Sequence, residues 1–287
     1  MTALRDYLDG TIPATVALMR LMLQGASAES VIRHLTGAAA DDDRLLPLLA
    51  LAQRMRDGLW TLQRMVEAGA THAPCDDPEA AIAQSRAMFD RLVRISPEAS
   101  VAAYSLGDPE LLDAITMELV VWLRAQGLLA RRPRILDLGC GIGRLAGALA
   151  RDAGSVTGLD IAPAMIDEAR RRNAALPGLR FETCSGRDLA GMPDACCDLV
   201  LAVDVFPYLV GGGLPLATGM VTEAARVLRP GGDLLILNFS YRGPEADRRD
   251  LPGIAAQAGF DLHRNGTREF LLWDGLVHWL RRHHAGA

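Results

Sequence analysis

Short apolar runs separated by amphipathic stretches fill the chain from residue 134 onward, and this alternation constrains the fold more than any other feature. The runs are too short for helices, and the stretches between them are long enough for one helix each. The runs are Ile135-Leu136, Val156–Leu159, Arg180–Thr183, Leu199–Val203 and Leu234–Leu237. Strands that alternate with helices lie parallel and are joined by crossover helices. We therefore expect an α/β fold with an open, doubly wound sheet.

The chain before this region has helical patterns. Apolar residues crowd the segment Val16–Leu23, and Asp77-Pro78-Glu79 and Asp108-Pro109-Glu110 are helix-start signals. In both signals the aspartate can cap free backbone N–H groups and the proline suits the first helical position. We place a helical region at residues 1–97 and a second domain at residues 98–287. The helical region is expected to cover a binding crevice, to form a homodimer or to bind a partner protein.

Composition excludes several classes of function. The formal net charge of -5 provides no excess of Lys and Arg for nucleic acid, so no nucleic-acid partner is expected. The five cysteines lack regular spacing, which is typical of free thiols, and no His, Cys and Asp residues are spaced as metal ligands. The amino terminus lacks a leader pattern and no run is long enough to span a membrane. A cytoplasmic protein without a metal is expected.

A glycine-rich turn joins the first predicted strand to a helix in the sequence Ile135-Leu136-Asp137-Leu138-Gly139-Cys140-Gly141-Ile142-Gly143-Arg144-Leu145. Glycines let a backbone turn tightly and approach a ligand, and open α/β sheets bind ligands at the carboxyl ends of their strands. The spacing is G-x-G-x-G, with Arg144 where a dinucleotide site has its third glycine. Asp137 adds negative charge, which suits an ammonium group better than a pyrophosphate. These features argue against a nicotinamide cofactor.

The second strand, Val156-Thr157-Gly158-Leu159-Asp160, also ends in an acidic residue. A carboxylate in this position can accept hydrogen bonds from both hydroxyls of a ribose. Each signal also has a plain structural explanation, the glycines as a tight connection and Asp160 as a helix cap. Their occurrence in one strand–helix–strand order favours a site for an adenosine-containing ligand.

Residues 134–240 resemble the class I S-adenosylmethionine-dependent methyltransferase family. The family's glycine-rich motif is D-x-G-x-G-x-G, which is matched at every fixed place by Asp137, Gly139, Gly141 and Gly143. The segment Asp198–Asp204 resembles the family's fourth strand, and Arg226–Gly232 resembles the helix and turn before its fifth. The resemblance implies a Rossmann-like, mostly parallel seven-stranded sheet, S-adenosylmethionine as the cofactor and S-adenosylhomocysteine as the product.

The resemblance also implies which residues bind the cofactor. Asp137 and the backbone at Gly139 would hold the methionine portion, and Asp160 the ribose. Arg187 and Asp188 are alternatives for a position beside the adenine amino group, with Asp188 preferred. The full set of residues expected at the cofactor is Tyr104, Asp137, Gly139, Cys140, Gly141, Asp160, Ile161, Met165, Arg187, Asp188, Asp204 and Val205. Of these, Tyr104 precedes the first helix of the second domain and is expected to fold over the cofactor.

Methyl transfer from a sulfonium needs a nucleophile held in line with the methyl group and, for some acceptors, a base. Tyr208 and Tyr241 follow the fourth and fifth strands and are the candidates for contact with the acceptor. The sequence Asp204-Val205-Phe206-Pro207-Tyr208 resembles the D-P-P-Y tetrad of amino-group methyltransferases only in its ending, so amino-group transfer does not follow. Arg242 would suit a carboxylate or phosphate on the acceptor.

The sequence therefore predicts an enzyme that transfers a methyl group to an oxygen, nitrogen or carbon atom of a small molecule, with a specialised metabolite favoured. Two alternatives remain open. One is a cofactor-binding sensor or scaffold without methyl transfer, and the other is a methyltransferase of protein or nucleic acid.

Overall fold

The computed structural model of the protein describes residues 2–70, 75 and 77–284. The chain forms two compact units. The helical unit comprises Met1–Thr71, Met88–Glu118 and Phe270–Asp274, and the sheet unit comprises His72–Ala87, Leu119–Glu269 and Gly275–Ala287, as far as the described residues extend. The division into a helical region at 1–97 and a second domain at 98–287 stays a prediction.

Helices form the helical unit. They are α1 (Thr2–Leu8), α2 (Ala14–Leu23), α3 (Ala28–Asp41), α4 (Leu46–Arg54), α5 (Arg56–Glu67), α6 (Pro78–Ile95), α7 (Pro97–Val101) and α8 (Pro109–Ala125), of which α6 begins and α8 ends in the sheet unit. Asp77 and Asp108 cap α6 and α8 as predicted, because each carboxylate accepts a hydrogen bond from a backbone N–H at the helix start. Across the described part of the chain, no helix is long and apolar enough to cross a membrane.

Seven strands form one sheet in the sheet unit. They are β1 (Arg134–Leu138), β2 (Ser155–Asp160), β3 (Leu179–Thr183), β4 (Cys197–Val203), β5 (Leu228–Leu237), β6 (Phe260–Arg268) and β7 (Leu276–Arg282). Their order is β3-β2-β1-β4-β5-β7-β6, with β1 to β5 parallel and β7 antiparallel to both of its neighbours. Helices cover both faces; those after β1 are α9 (Arg144–Leu149), α10 (Pro163–Arg172), α11 (Phe206–Gly211), α12 (Leu214–Val227) and α13 (Pro244–Gln257). The predicted doubly wound, mostly parallel seven-stranded sheet is confirmed.

The turn predicted at Pro230-Gly231-Gly232 lies inside β5 rather than before it. Leu228 already pairs with Cys197 of β4, and Asp233 pairs with Leu199 after a shift in register. Gly231 adopts a φ of 73°, a conformation that glycine reaches without steric cost. These residues are therefore an irregularity within the strand pairing, and β5 begins earlier than its apolar run suggested.

The carboxyl ends of the five parallel strands meet at one edge of the sheet. β1 lies between β2 and β4, with Leu138 beside Leu159 on one side and Ala202 on the other. The strand order therefore reverses at β1, and open α/β sheets bind ligands in the crevice outside such a reversal. The glycine-rich turn that follows β1 occupies this position.

His278 is fully buried in β7. Its Nδ1 lies 3.1 Å from Asn265 Oδ1, and its buried Nε2 has no hydrogen-bond partner among the residues the structure describes. Burial, followed by the charge of Arg248, lowers the pKa of this imidazole from 6.5 to about 4. At acidic pH the His278 imidazole is therefore protonated in the unfolded chain and neutral in the folded chain, so the stability that this group contributes is lost as the pH falls from 6.5 towards 4.

Replacing His278 with phenylalanine is expected to remove this loss, which amounts to about 3 kcal/mol at most, so that the variant loses less stability on acidification than the wild type. The phenyl ring is planar like the imidazole, although larger, and cannot take up a proton. Urea unfolding of wild type and variant at several values between about pH 7 and pH 4.5 measures the difference. Equal losses of stability in the two proteins would show that His278 does not cause the dependence.

Candidate functional site

The turn after β1 is shaped by its glycines. Gly139, Gly141 and Gly143 have φ values of 68°, 52° and 72°, in the left-handed region that side chains disfavour. The N–H groups of Gly139 and Cys140 both donate to the Leu159 carbonyl at the end of β2, at 2.7 and 2.9 Å. The turn is thus held against the end of the neighbouring strand, with its backbone at the carboxyl edge.

Asp160 joins this turn to the end of β2. Its buried carboxylate accepts a hydrogen bond from the Gly141 N–H through Oδ2 and from the Ala162 N–H through Oδ1, each at 2.9 Å. The helix-cap explanation and the ligand explanation for Asp160 are therefore compatible, because one carboxylate can accept several hydrogen bonds.

Asp137 lies beneath the turn and is almost fully buried. One carboxyl oxygen accepts a hydrogen bond from the Ala146 N–H in α9, whereas Oδ2 has no partner in the described part of the chain. Burial raises the pKa of Asp137 to about 7, and the nearby charge of Arg144 partly opposes the rise. A buried oxygen without a donor costs about 1–3 kcal/mol, so a cationic donor near this carboxyl would be favourable.

Three other residues expected at the cofactor lie close to the same strand ends. Cys140 and Met165 are buried, 5% and 2% exposed, and Ile161 is half-buried. The Ile161 side chain lies against Gly186, where a Cβ atom would come within 2.8 Å of its Cγ2. Ile161 is thus placed between β2 and the loop after β3, while Met165 lies on the buried face of α10.

The loop after β3 holds the two alternatives for the adenine position. The Ser185 hydroxyl accepts hydrogen bonds from the backbone N–H groups of Arg187 and Asp188, at 3.1 and 3.3 Å. The Asp188 carboxylate in turn accepts from Ser185 Oγ and from the Ala190 N–H. Arg187 forms an exposed ion pair with Glu79 at 2.7 Å. Asp188 therefore closes the turn while Arg187 points to α6, and the choice between them stays a prediction.

Two strained residues face each other where β4 and β5 end. Asp204 and Asn238 have φ values of 57° and 65°, and Asn238 Nδ2 donates to Asp204 Oδ1 at 2.7 Å. The Asn238 side-chain oxygen also accepts from the Leu276 N–H at the start of β7. Non-glycine residues in this conformation persist only where their surroundings hold them, and they cluster at functional sites. Asp204 was expected at the site, and its bond to Asn238 was not foreseen.

Val205 brings the β4 loop onto the glycine-rich turn. A Cβ atom at Gly139 would lie 2.1 Å from Val205 Cγ2, so the valine occupies the space that any other residue at position 139 would need. The ends of β1 and β4 are therefore in direct contact at the carboxyl edge. Position 139 therefore needs a residue that adopts a positive φ and that also lacks a Cβ atom, and glycine meets both requirements.

The predicted acceptor residues Tyr208 and Tyr241 are brought together. Their rings meet edge to face with centroids 6.4 Å apart, and their hydroxyl groups are hydrogen-bonded. Burial, reinforced by the negative charge of Asp204, raises the pKa of the Tyr208 phenol, so it stays protonated at neutral pH. Tyr241 is half exposed. The pair offers hydroxyl donors beside the strained β4 loop.

Two residues have partners that the sequence did not predict. Tyr104 belongs to the helical unit, where its ring stacks on Trp273 with centroids 5.5 Å apart. The Arg242 guanidinium pairs with Asp250 of α13 at 3.0 Å and lies 3.8 Å from the buried Asp247. Arg242 therefore has carboxylate partners within its own unit. The role of Tyr104 at the cofactor stays a prediction.

Comparisons with known proteins agree with this geometry. Residues 136–236 match the family model of the methyltransferase domain. Demethylmenaquinone methyltransferase of Tropheryma whipplei is 35% identical over 107 residues, 37% of this chain and 42% of that protein. Ubiquinone biosynthesis O-methyltransferase of Xanthomonas oryzae pv. oryzae is 31% identical over 157 residues, 52% of this chain and 60% of that protein. The chain thus spans about half the length of these curated relatives.

Magnesium protoporphyrin IX methyltransferase of Synechocystis PCC 6803, solved with bound SAM, has the same fold. The TM-score is 0.53 at 22% identity, and the alignment covers 70% of this chain and 97% of that protein. Similarity at this level shows a shared fold alone. The matched segment, the strand order and the glycine-rich turn agree with one another: residues 136–236 of this chain match the methyltransferase domain, within a sheet of the corresponding fold.

Proposed function

We propose that this protein is an S-adenosylmethionine-dependent methyltransferase that acts on a small molecule. The observation that carries the proposal is the arrangement of Asp137, Gly139 and Asp160 at the reversal of strand order. Three features lie on neighbouring strand ends: the buried Asp137 carboxyl with an unpartnered oxygen, a turn with no room for a side chain at Gly139, and the buried carboxylate of Asp160. The Asp137 carboxyl suits an ammonium group, and the turn at Gly139 suits a ligand that approaches the protein backbone closely. The Asp160 carboxylate suits the hydroxyls of a ribose.

Each part of the cofactor then has proposed binding residues. Asp137 and the turn from Gly139 to Gly141 would bind the methionine portion, and Asp160 would accept hydrogen bonds from the ribose. The adenine would lie near the β3 loop, with the half-buried Ile161 as an apolar neighbour. When bound, S-adenosylmethionine supplies a sulfonium methyl group that is open to attack by a nucleophile, and S-adenosylhomocysteine is released.

Tyr208 and Tyr241 are proposed to position the acceptor. Because burial keeps the Tyr208 phenol protonated, this residue would orient the acceptor through a hydrogen bond and would not act as a base at neutral pH. The nearby carboxylate of Asp204, held in place by Asn238, gives this part of the site negative charge. An in-line displacement needs mainly such positioning, which is worth several orders of magnitude in rate.

A small-molecule acceptor is supported by the names of the relatives. The similar proteins from Tropheryma whipplei and Xanthomonas oryzae are named as a demethylmenaquinone methyltransferase and a ubiquinone biosynthesis O-methyltransferase. The formal charge of -5 gives no support to a nucleic-acid substrate. The atom that receives the methyl group, a specialised metabolite as acceptor and a homodimer stay predictions.

Two experiments test the proposal. The first is calorimetric titration with S-adenosylmethionine and S-adenosylhomocysteine. The second is incubation with methyl-labelled cofactor and a panel of phenols, hydroquinones, carboxylic acids and amines. We expect both ligands to bind and label to appear in one acceptor class. Tyr208→Phe is expected to slow that transfer about tenfold by removing one hydrogen bond, with unchanged affinity for S-adenosylhomocysteine. A folded wild type that binds neither ligand would contradict the proposal. Binding of both ligands without transfer to any acceptor would favour a sensor or scaffold.

A further inference from the structure

A segment far from the methyltransferase motif in sequence lies on the sheet unit beside the candidate site. We call this segment the strap; it consists of Cys75 and residues 77–87, including the first half of α6. At one end the Cys75 N–H donates to the Gly211 carbonyl at 2.9 Å, and Ala81 packs against Gly212, where a Cβ atom would lie 3.0 Å from the alanine Cβ. The strap is thus attached to the region after β4.

The strap also contacts the loop after β3. Glu79 pairs with Arg187 at 2.7 Å, and Ile82 lies so close to Gly186 that a Cβ atom there would be 3.2 Å from Ile82 Cγ2. In the strand order β3-β2-β1-β4, the loops after β3 and β4 flank the ends of β2 and β1. The strap therefore touches both flanks of the edge where Asp160 and the glycine-rich turn lie.

Arg86 in the strap has a buried hydrogen-bond donor without an acceptor. Its Nε is buried and has no hydrogen-bond acceptor among the described residues. Arg86 follows Ile82 by four residues, so both side chains project from the same face of α6. Ile82 meets Gly186, which also contacts Ile161 at the end of β2. Arg86 is accordingly directed to the region between the ends of β2 and β3.

Electrostatics place the guanidinium in the same region. The pKa of the Cys184 thiol, directly after β3, is raised chiefly by burial; the Asp160 charge also raises it and the Arg86 charge lowers it. One thiol therefore lies within reach of both charges. A buried guanidinium N–H without an acceptor is costly, and a ligand atom with a lone pair would relieve that cost.

We propose, on the basis of the proposed function, that Arg86 binds the nucleoside half of the cofactor, its Nε–H donating to a ribose oxygen or a purine nitrogen. The methionine portion has its own binding groups at the end of β1, on the far side of β2 from β3. The strap thereby supplies a cofactor contact from outside residues 136–236, the segment that matches the methyltransferase domain. No signal in the sequence around Arg86 indicated this role.

The test measures binding by calorimetry with two ligands, S-adenosylhomocysteine and 5′-methylthioadenosine, which keeps the nucleoside and lacks the aminocarboxylate. Arg86→Met removes the donor and keeps the apolar stem of the side chain, with Arg86→Ala as a second variant. Arg94→Met, at an exposed position of the same helix, is the matched control. We expect both Arg86 variants to weaken both ligands about tenfold or more and the control to change neither beyond about twofold.

Three results would overturn the inference. Unchanged binding of both ligands by folded Arg86 variants would remove Arg86 from the site while leaving the proposed function intact. Weakened binding of S-adenosylhomocysteine alone would assign Arg86 to the aminocarboxylate and not to the nucleoside. A folded wild type that binds neither ligand would overturn the proposed function and this inference with it.

Discussion

Replacing Asp160 with alanine is expected to weaken the binding of S-adenosylmethionine at least about 100-fold and to lower the free energy of unfolding by about 2–4 kcal/mol. Two causes combine at this one residue. The carboxylate is the proposed acceptor for the ribose, and it also satisfies the N–H groups of Gly141 and Ala162. The variant leaves these two backbone donors unsatisfied, so the glycine-rich turn loses its link to the end of β2.

Calorimetry and urea unfolding separate these two effects. Asp160→Asn keeps an acceptor oxygen for one backbone N–H but removes the charge, so it should recover part of the stability and little of the binding. Asp167→Ala, at an exposed site in α10, is the control and should match the wild type in both measurements. Wild-type affinity in a folded Asp160→Ala protein would contradict the assignment of Asp160 to the ribose.

Replacing Gly139 with alanine is expected to lower the free energy of unfolding by about 3 kcal/mol and to abolish detectable cofactor binding. The backbone at Gly139 has a φ of 68°, which costs a side-chain-bearing residue about 1–2 kcal/mol. The added Cβ would also lie 2.1 Å from Val205 Cγ2, closer than two non-bonded carbon atoms can approach. Either the turn or the β4 loop must then move, and both are proposed to line the site.

The double variant Gly139→Ala with Val205→Ala separates the two costs. Removing Cγ2 relieves the clash and leaves the backbone strain, so the double variant should be more stable than the sum of the two single changes predicts. Urea unfolding of the four proteins gives this coupling energy directly. Purely additive effects would show that Val205 does not limit position 139.

The strands and the glycine-rich turn were predictable from the sequence because their causes are local. The apolar runs that became β1, β2 and β4 and the alternating segment that became β3 are short enough to exclude helices, and flanking polar residues mark where they end. The turn from Gly139 to Gly143 needs three left-handed residues, and only glycine takes that conformation without cost. Asp160 stood out for a similar reason, as an acidic residue that ends an apolar strand.

The turn at Pro230-Gly231-Gly232 shows the limit of such local reasoning. Its residues are typical of a loop, and the prediction placed it between a helix and β5. Pairing of Leu228 with Cys197 extends β5 back across this turn. A pairing partner on another strand thus outweighed the local preference of three residues, because hydrogen bonds to β4 are available to the backbone on both sides of the irregularity.

The contacts between side chains at the site were decided by the tertiary structure alone. Asp204 meets Asn238, and Glu79 of the strap meets Arg187, only because of the order in which the strands lie in the sheet. A residue type reports its own backbone and burial preferences, but it carries no information about which distant side chain will face it. The sequence by itself therefore determined the strands, the turn and the carboxylate at its edge, whereas strand order and the path of the chain decided which distant segments lie beside them, including the strap.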